Sequence, residues 1–320
     1  RNIDRLSCSG AAEPIKMSEK QRRFCHLCGK ELQGNYLLYD NGLVVCERCQ
    51  NTLPHCSRCG IPSRQLTAVR GDLICPACLQ KLPLCACCHQ PILGRYFIID
   101  DSPSPYCEEC TQTRPRCDIC RVPFLDSQGK AFRGRDGPIY RCASCLSSAV
   151  TTLAEAERLY HDTQLLLVRE LALEVAVLPK LHLVERARLI ELHQQTDTPV
   201  GTDTSPGPEQ QHLLGYFKRI NDDWDIYIEH LLPKMLFQAV SAHELAHAWQ
   251  STHAPEGQAL KIAEGFAEWV AYRVMLALGQ QREAARLTRR NDLYGEGLQY
   301  FIRLEREHGR TGVLQRATQA

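Results

Sequence analysis

Sixteen cysteines set as eight C-x2-C pairs constrain this chain more than any other feature: Cys25/Cys28, Cys46/Cys49, Cys56/Cys59, Cys75/Cys78, Cys85/Cys88, Cys107/Cys110, Cys117/Cys120 and Cys142/Cys145. Two thiolates three positions apart on a tight turn grip one tetrahedral ion, and two such knuckles close a structural zinc site with no open position. Eight pairs therefore imply four structural Zn2+ ions. A secreted disulfide framework is the other reading of many cysteines, but the regular spacing argues for metal. First cysteines recur at 25, 56, 85 and 117, and six residues separate each unit from the next. The expected organisation is a disordered leader over 1–23, four tandem four-cysteine units over 24–146, and a cysteine-free domain over 147–320.

Within each unit the knuckles flank β-prone stretches joined by turn signals, Asn41-Gly42, Gly71-Asp72, Asp100-Asp101 and Asp136-Gly137, so each reads as a zinc-pinned hairpin. Pro54, Pro83 and Pro115, two positions ahead of a first cysteine, indicate stiff joints. Consecutive pairs sharing one ion is the simpler arrangement, and a cross-braced one stays open. Cys8 and Cys87 are left as spare thiols.

The units resemble LIM-type zinc fingers, as in Cys25-His-Leu-Cys-Gly-Lys30 followed by Val45-Cys-Glu-Arg-Cys49. They depart from that pattern in having only cysteine ligands and a six-residue gap. Such fingers mostly bind proteins, and charge favours the same partner class. Residues 1–150 hold 20 Lys plus Arg and 14 Asp plus Glu, and four zinc–thiolate centres at about −2 each cancel that basic excess. Nucleic acid is not the expected partner. No apolar run reaches the length of a membrane helix, so a soluble chain with no membrane partner is expected, and reduced all-cysteine sites place it in the cytoplasm.

The pattern after Ser147 changes. Leu153, Ala156, Leu159, Tyr160, Thr163, Leu166, Leu167 and Glu170 follow helical spacing, which predicts one long helix broken by Pro179. A further helix is expected over Lys180 to His193, a loop over Thr196 to Gln210, a short strand between Trp224 and Leu232, and a helix opening at Pro233. The fold class is α+β: tandem zinc-pinned hairpins, then a mostly helical domain with a small sheet.

The Pro233 helix contains His243-Glu244-Leu-Ala-His247, an H-E-x-x-H sequence. Residues four apart leave a helix on the same face, so both imidazoles can share one ion, with Glu244 placed to reach a water beside it. Uncompensated histidines and a carboxylate would be costly inside so apolar a helix without a metal. A catalytic zinc usually takes three protein ligands. Glu264 and Glu268, one turn apart, are the candidates for the third. Ala263-Glu-Gly-Phe-Ala267 resembles the third-ligand motif of gluzincin peptidases, which favours Glu264 and leaves Glu268 either orienting a ligand imidazole or lying in solvent.

Tyr160-His-Asp-Thr-Gln-Leu-Leu-Leu-Val-Arg-Glu-Leu171, Leu183-Val-Glu-Arg186, Pro233-Lys-Met-Leu236, His243 to Trp249, Glu264-Gly265 and Tyr294-Gly-Glu-Gly297 resemble, in that order, the DA-one family, in which LIM-like fingers precede a gluzincin domain. The resemblance implies a zinc-dependent endopeptidase that cuts selected protein substrates, with fingers that recruit or regulate, and ubiquitin or a ubiquitin-like protein as a partner. Residues 1–23 show no ubiquitin-interacting helix of the plant members' kind. The implied mechanism has one catalytic Zn2+ on His243, His247 and Glu264, Glu244 as general base, and Tyr294 as a second oxyanion donor. The strand at Asp225 to Leu231 is the expected place for a substrate to add as an extra strand, and His230 within it is expected at the surface. A non-catalytic zinc-finger adaptor is the alternative function.

Overall fold

The structure is a computed structural model that describes residues 12–15, 23–33, 35–99, 103–134, 137–195 and 213–319. It divides into two compact units, Arg1–Pro115 with Arg121–Leu125, and Arg116–Cys120 with Asp126–Ala320.

The first unit holds three fingers. Strands β1 (Ala12–Ile15), β2 (Tyr36–Tyr39) and β3 (Val44–Cys46) form an antiparallel sheet in that order, followed by the short helix α1 (Glu47–Thr52). The second finger has β4 (Thr67–Val69), β5 (Asp72–Ile74) and α2 (Pro76–Leu79), and the third has β6 (Tyr96–Ile98), β7 (Pro105–Cys107) and α3 (Glu108–Thr113). The expected disordered leader gives way at Ala12–Ile15, whose backbone pairs with β2. The rest of that leader, Cys8 included, lies outside the described residues, as do the Asp100-Asp101 turn and Asp136.

One local rule builds every finger. The residue after the second cysteine is left-handed: Gly29 (φ 71°), Gly60 (φ 71°), His89 (φ 58°) and Arg121 (φ 59°). Glycine adopts this conformation freely, whereas His89 and Arg121 hold it against a Cβ penalty. The third cysteine then closes the hairpin and caps a short helix whose third residue is the fourth cysteine. In the second finger the turn residues are Arg70 (φ 51°) and Gly71 (φ 90°), the two left-handed positions of a tight hairpin, rather than Gly71-Asp72.

The fourth finger lies in the second unit. Its hairpin, β8 (Gly129–Arg133) with β9 (Pro138–Cys142), leads into α4 (Ala143–Ser147). Its exit strap then joins the next domain through backbone: the Val150 amide donates to Leu232, the Leu231 amide to Val150, and the Lys234 amide to Ser148.

After α5 (Leu153–Leu171) come β10 (Lys180–Val184), α6 (Arg186–Gln194), β11 (Gly215–Ile220), β12 (Asp223–Glu229), and the helices α7 (Lys234–His253), α8 (Leu260–Ala277), α9 (Gln281–Leu287) and α10 (Leu293–Ala317), the last interrupted at Gly309. The sheet order is β10-β12-β11, with β10 parallel and β11 antiparallel to β12. Three expectations change. Helix α5 stops at Leu171, where Ala172 turns left-handed, and not at Pro179. Lys180–Val184 is a strand rather than helix, because its partner Asp225–Glu229 offers it a parallel ladder. Pro233 stands just ahead of α7, as its N-cap. The loop expected over 196–210 lies outside the described residues.

Phe237, Leu245, Phe266, Trp269, Val270 and Phe301 fill the core between α7, α8 and α10. Helices α8 and α10 cross at two glycines: a Cβ on Gly297 would lie 2.5 Å from the Gly265 Cα. Only glycine at both positions permits this approach.

Candidate metal centres

Each finger gathers its four thiols at one point, Cys25/Cys28/Cys46/Cys49, Cys56/Cys59/Cys75/Cys78, Cys85/Cys88/Cys107/Cys110 and Cys117/Cys120/Cys142/Cys145, the sulfurs of each set lying within 4.8 Å of one another. Consecutive pairs share a site, which removes the cross-braced alternative. Tetrahedral zinc with bonds of about 2.3 Å places its sulfurs about 3.8 Å apart. Cys28–Cys46, Cys59–Cys75 and Cys88–Cys107 stand at 3.9 Å and Cys120–Cys142 at 3.6 Å. These are zinc-finger-like modules, and no described cysteine is in a disulfide.

Backbone amides support the thiolates. The amides of Cys46, Cys75 and Cys107 each donate to the first sulfur of their own tetrad at 3.3–3.4 Å. Burial alone would raise these thiols, but the amide bonds outweigh it and bring Cys25 and Cys56 down to about 6. In the third finger Arg70 reaches across from the second to donate to the Cys107 sulfur at 3.6 Å and to Glu109 at 2.9 Å. Cys87, expected to be spare, is buried against this tetrad and hydrogen-bonds with Cys110.

A fifth group has different chemistry. His243 and His247 project from α7 with Nε2 atoms 3.1 Å apart, and the Glu264 carboxylate of α8 approaches them at 3.2 and 3.4 Å. Three ligands at about 2.0–2.1 Å from one tetrahedral ion would be separated by about 3.3–3.4 Å, so the donor set fits zinc. The three side chains retain 15–21% exposure. Without an ion, burial by itself lowers both histidines, but Glu264 more than compensates: His243 is raised and His247 reaches about 9. Burial tends to raise Glu264, and the two imidazoles hold it well below the usual carboxylate range.

Glu244 faces β11. A Cβ on Gly215 would lie 2.6 Å from its Oε1, so the glycine is what lets the strand approach, and the Phe217 amide donates to the carboxylate. Burial raises Glu244, the direction useful in a proton acceptor near neutrality. Glu268 is not a solvated helix residue. It is buried, bonds to Arg290 at 2.7 Å and lies 4.0 Å from His243 Nδ1. Tyr294, half-buried, has its ring centroid 6.3 Å from that of His243, with the Arg290 guanidinium 4.5 Å over its ring. His230 is half-buried rather than a surface residue, and it is not among the clustered ligands.

The expected substrate strand is corrected. β12 has neighbours on both sides, so its ladder is complete, and among the described residues the edges of the sheet are β10 and β11. Among the described residues no helix is long and apolar enough to cross a membrane. Compared with models of known protein families and with curated proteins, the chain matches none.

Proposed function

We propose that the chain is a zinc-dependent endopeptidase of the DA-one type, a gluzincin acting on selected protein substrates, with its zinc-finger-like modules serving to recruit or regulate and with ubiquitin or a ubiquitin-like protein among its partners. The observation that carries this reading is the convergence of His243, His247 and Glu264 next to a buried Glu244 that is not one of the clustered ligands. Three protein ligands leave the fourth position of zinc open, the mark of a catalytic site, whereas the four-thiol sets are closed. When bound, zinc would polarise a scissile carbonyl and acidify water at that position.

The remaining work falls to side chains and backbone. Glu244 takes a proton from the attacking water and returns it to the leaving amine, a short transfer for a carboxylate held in place by the Phe217 amide. The Tyr294 hydroxyl is the candidate second donor to the developing oxyanion. β11, an edge strand that also contacts Glu244 through Gly215, takes the role first expected of β12: its free edge accepts a substrate backbone beside the metal ligands.

The test is incubation of wild type and Glu244→Gln with protein mixtures, bare and ubiquitin-conjugated, followed by mass spectrometry of new termini. New termini with wild type alone are expected. Cleavage that persists in the variant overturns the mechanism.

A further inference from the structure

His247 is held from behind by a chain of buried amides. Its Nδ1 lies 2.9 Å from Gln250 Oε1. Gln250 Nε2 lies 3.1 Å from the Ala263 carbonyl and 3.5 Å from Gln258 Oε1. Gln258 Nε2 in turn lies 3.1 Å from the Ala317 carbonyl and 2.7 Å from that of Gln319. Both glutamines are buried, at 6% and 7% exposure.

The direction of every bond in this chain is forced. Gln258 faces two carbonyls, which only accept, so its nitrogen points at them and its oxygen faces Gln250. Gln250 faces the Ala263 carbonyl, so its nitrogen points there and its oxygen faces His247. That oxygen accepts, and Nδ1 must carry the proton. Once the ring is neutral, as metal binding requires, it is therefore the tautomer whose Nε2 lone pair points toward His243 and Glu264. We infer that Gln250 and Gln258 are positioning residues that fix the tautomer and ring orientation of His247 and anchor it to the carbonyls closing α10.

The inference deepens the reading of His243, His247 and Glu264 as a metal site and rests on it. It gives the two ligand imidazoles different supports. The Nδ1 of His243 faces a carboxylate already paired with Arg290, while that of His247 is tied through neutral amides to the segment after α10. Removing an outer hydrogen bond of this kind typically costs roughly 10–100-fold in metal affinity.

The test uses the full chain with its cysteine sites loaded, titrating Zn2+ into the remaining site against a competing chelator. Gln250→Leu, close in volume and unable to accept, should weaken binding by roughly 10–100-fold. Gln258→Leu should weaken it less, and the double variant should be no worse than Gln250→Leu, because the second amide acts through the first. Gln250→Glu retains an acceptor and should bind closer to wild type than to Gln250→Leu, with any cost to the fold read separately by thermal unfolding. Wild-type affinity in Gln250→Leu, or equal losses in the Leu and Glu variants, overturns the inference while the metal site stands. Absence of a fifth bound zinc in wild type overturns the site itself. Should Gln250→Leu not fold, Gln258→Leu decides the matter, and wild-type affinity in that variant overturns the inference.

Discussion

The guanidinium of Arg141 lies 2.5 Å from the carboxylate of Glu229, with both side chains almost fully buried. Arg141 belongs to β9 of the fourth finger, and Glu229 ends β12, four residues ahead of the Pro233 that caps the helix bearing His243 and His247. Arg186 holds the other Glu229 oxygen at 3.1 Å. Breaking a buried pair from one side leaves the partner charge stranded, at about 3–5 kcal/mol. Because Arg186 remains, Arg141→Ala should cost about 3 kcal/mol, read by urea unfolding. Arg141→Lys should recover little of it, since one ammonium cannot reproduce the fork.

Metal analysis separates the two kinds of site. Wild type should carry about five zincs per chain, four on thiol tetrads and one on the His–His–Glu set. Glu264→Gln should fall to about four. Glu244→Gln should keep the full complement and lose cleavage by about 10²–10⁴-fold, the usual share of a general base.

The glycine crossing leaves no room for a side chain. In Gly297→Ala the added methyl would meet backbone atoms of Gly265 at 2.5 Å, so α8 and α10 must separate. The expected cost is about 1–3 kcal/mol. Glu264 sits next to Gly265, and Tyr294 one turn before Gly297, so zinc affinity should drop along with the melting temperature.

Acid should loosen the support behind His243. Burial tends to raise Asp292, but its bonds to Arg290 and to the Gly295 amide outweigh this and hold it below its ordinary value. A depressed carboxyl stabilises the fold above its unfolded value of ~3.9, and that contribution is lost as pH falls through the folded value. Asp292→Asn keeps an oxygen to cap α10 but not the ion pair. The difference in stability between wild type and Asp292→Asn should therefore be present near neutrality and shrink as pH falls below about 4, measured by chemical unfolding across pH.

Local spacing made much of this molecule readable. A C-x2-C knuckle and an imidazole pair four apart are set by the backbone of a single turn, so their grouping follows without knowledge of the rest. Glu264 and Glu268 were equally placed by spacing, and only the position of α8 against α7 separates the carboxylate that reaches both Nε2 atoms from the one that bonds Arg290. The strand at Lys180–Val184 looked helical because its ladder partner lies 45 residues on. As a strand, β10 gives β12 its second neighbour and moves the open edge to β11. The Gln250–Gln258 chain left no local trace: nothing in the spacing of the two glutamines announces that the Ala317 and Gln319 carbonyls close over them.

The repeat invites a cut after Cys145, where the last knuckle ends. A knife placed there would strip Glu229 of the Arg141 guanidinium and leave Ser148 and Val150, whose backbone bonds hold Leu231, Leu232 and Lys234 at the root of the His243 helix, at a loose chain end. The fourth copy has ceased to be a detachable bead and has become masonry, so a trimmed fragment meant to keep this helix intact should begin at Arg116.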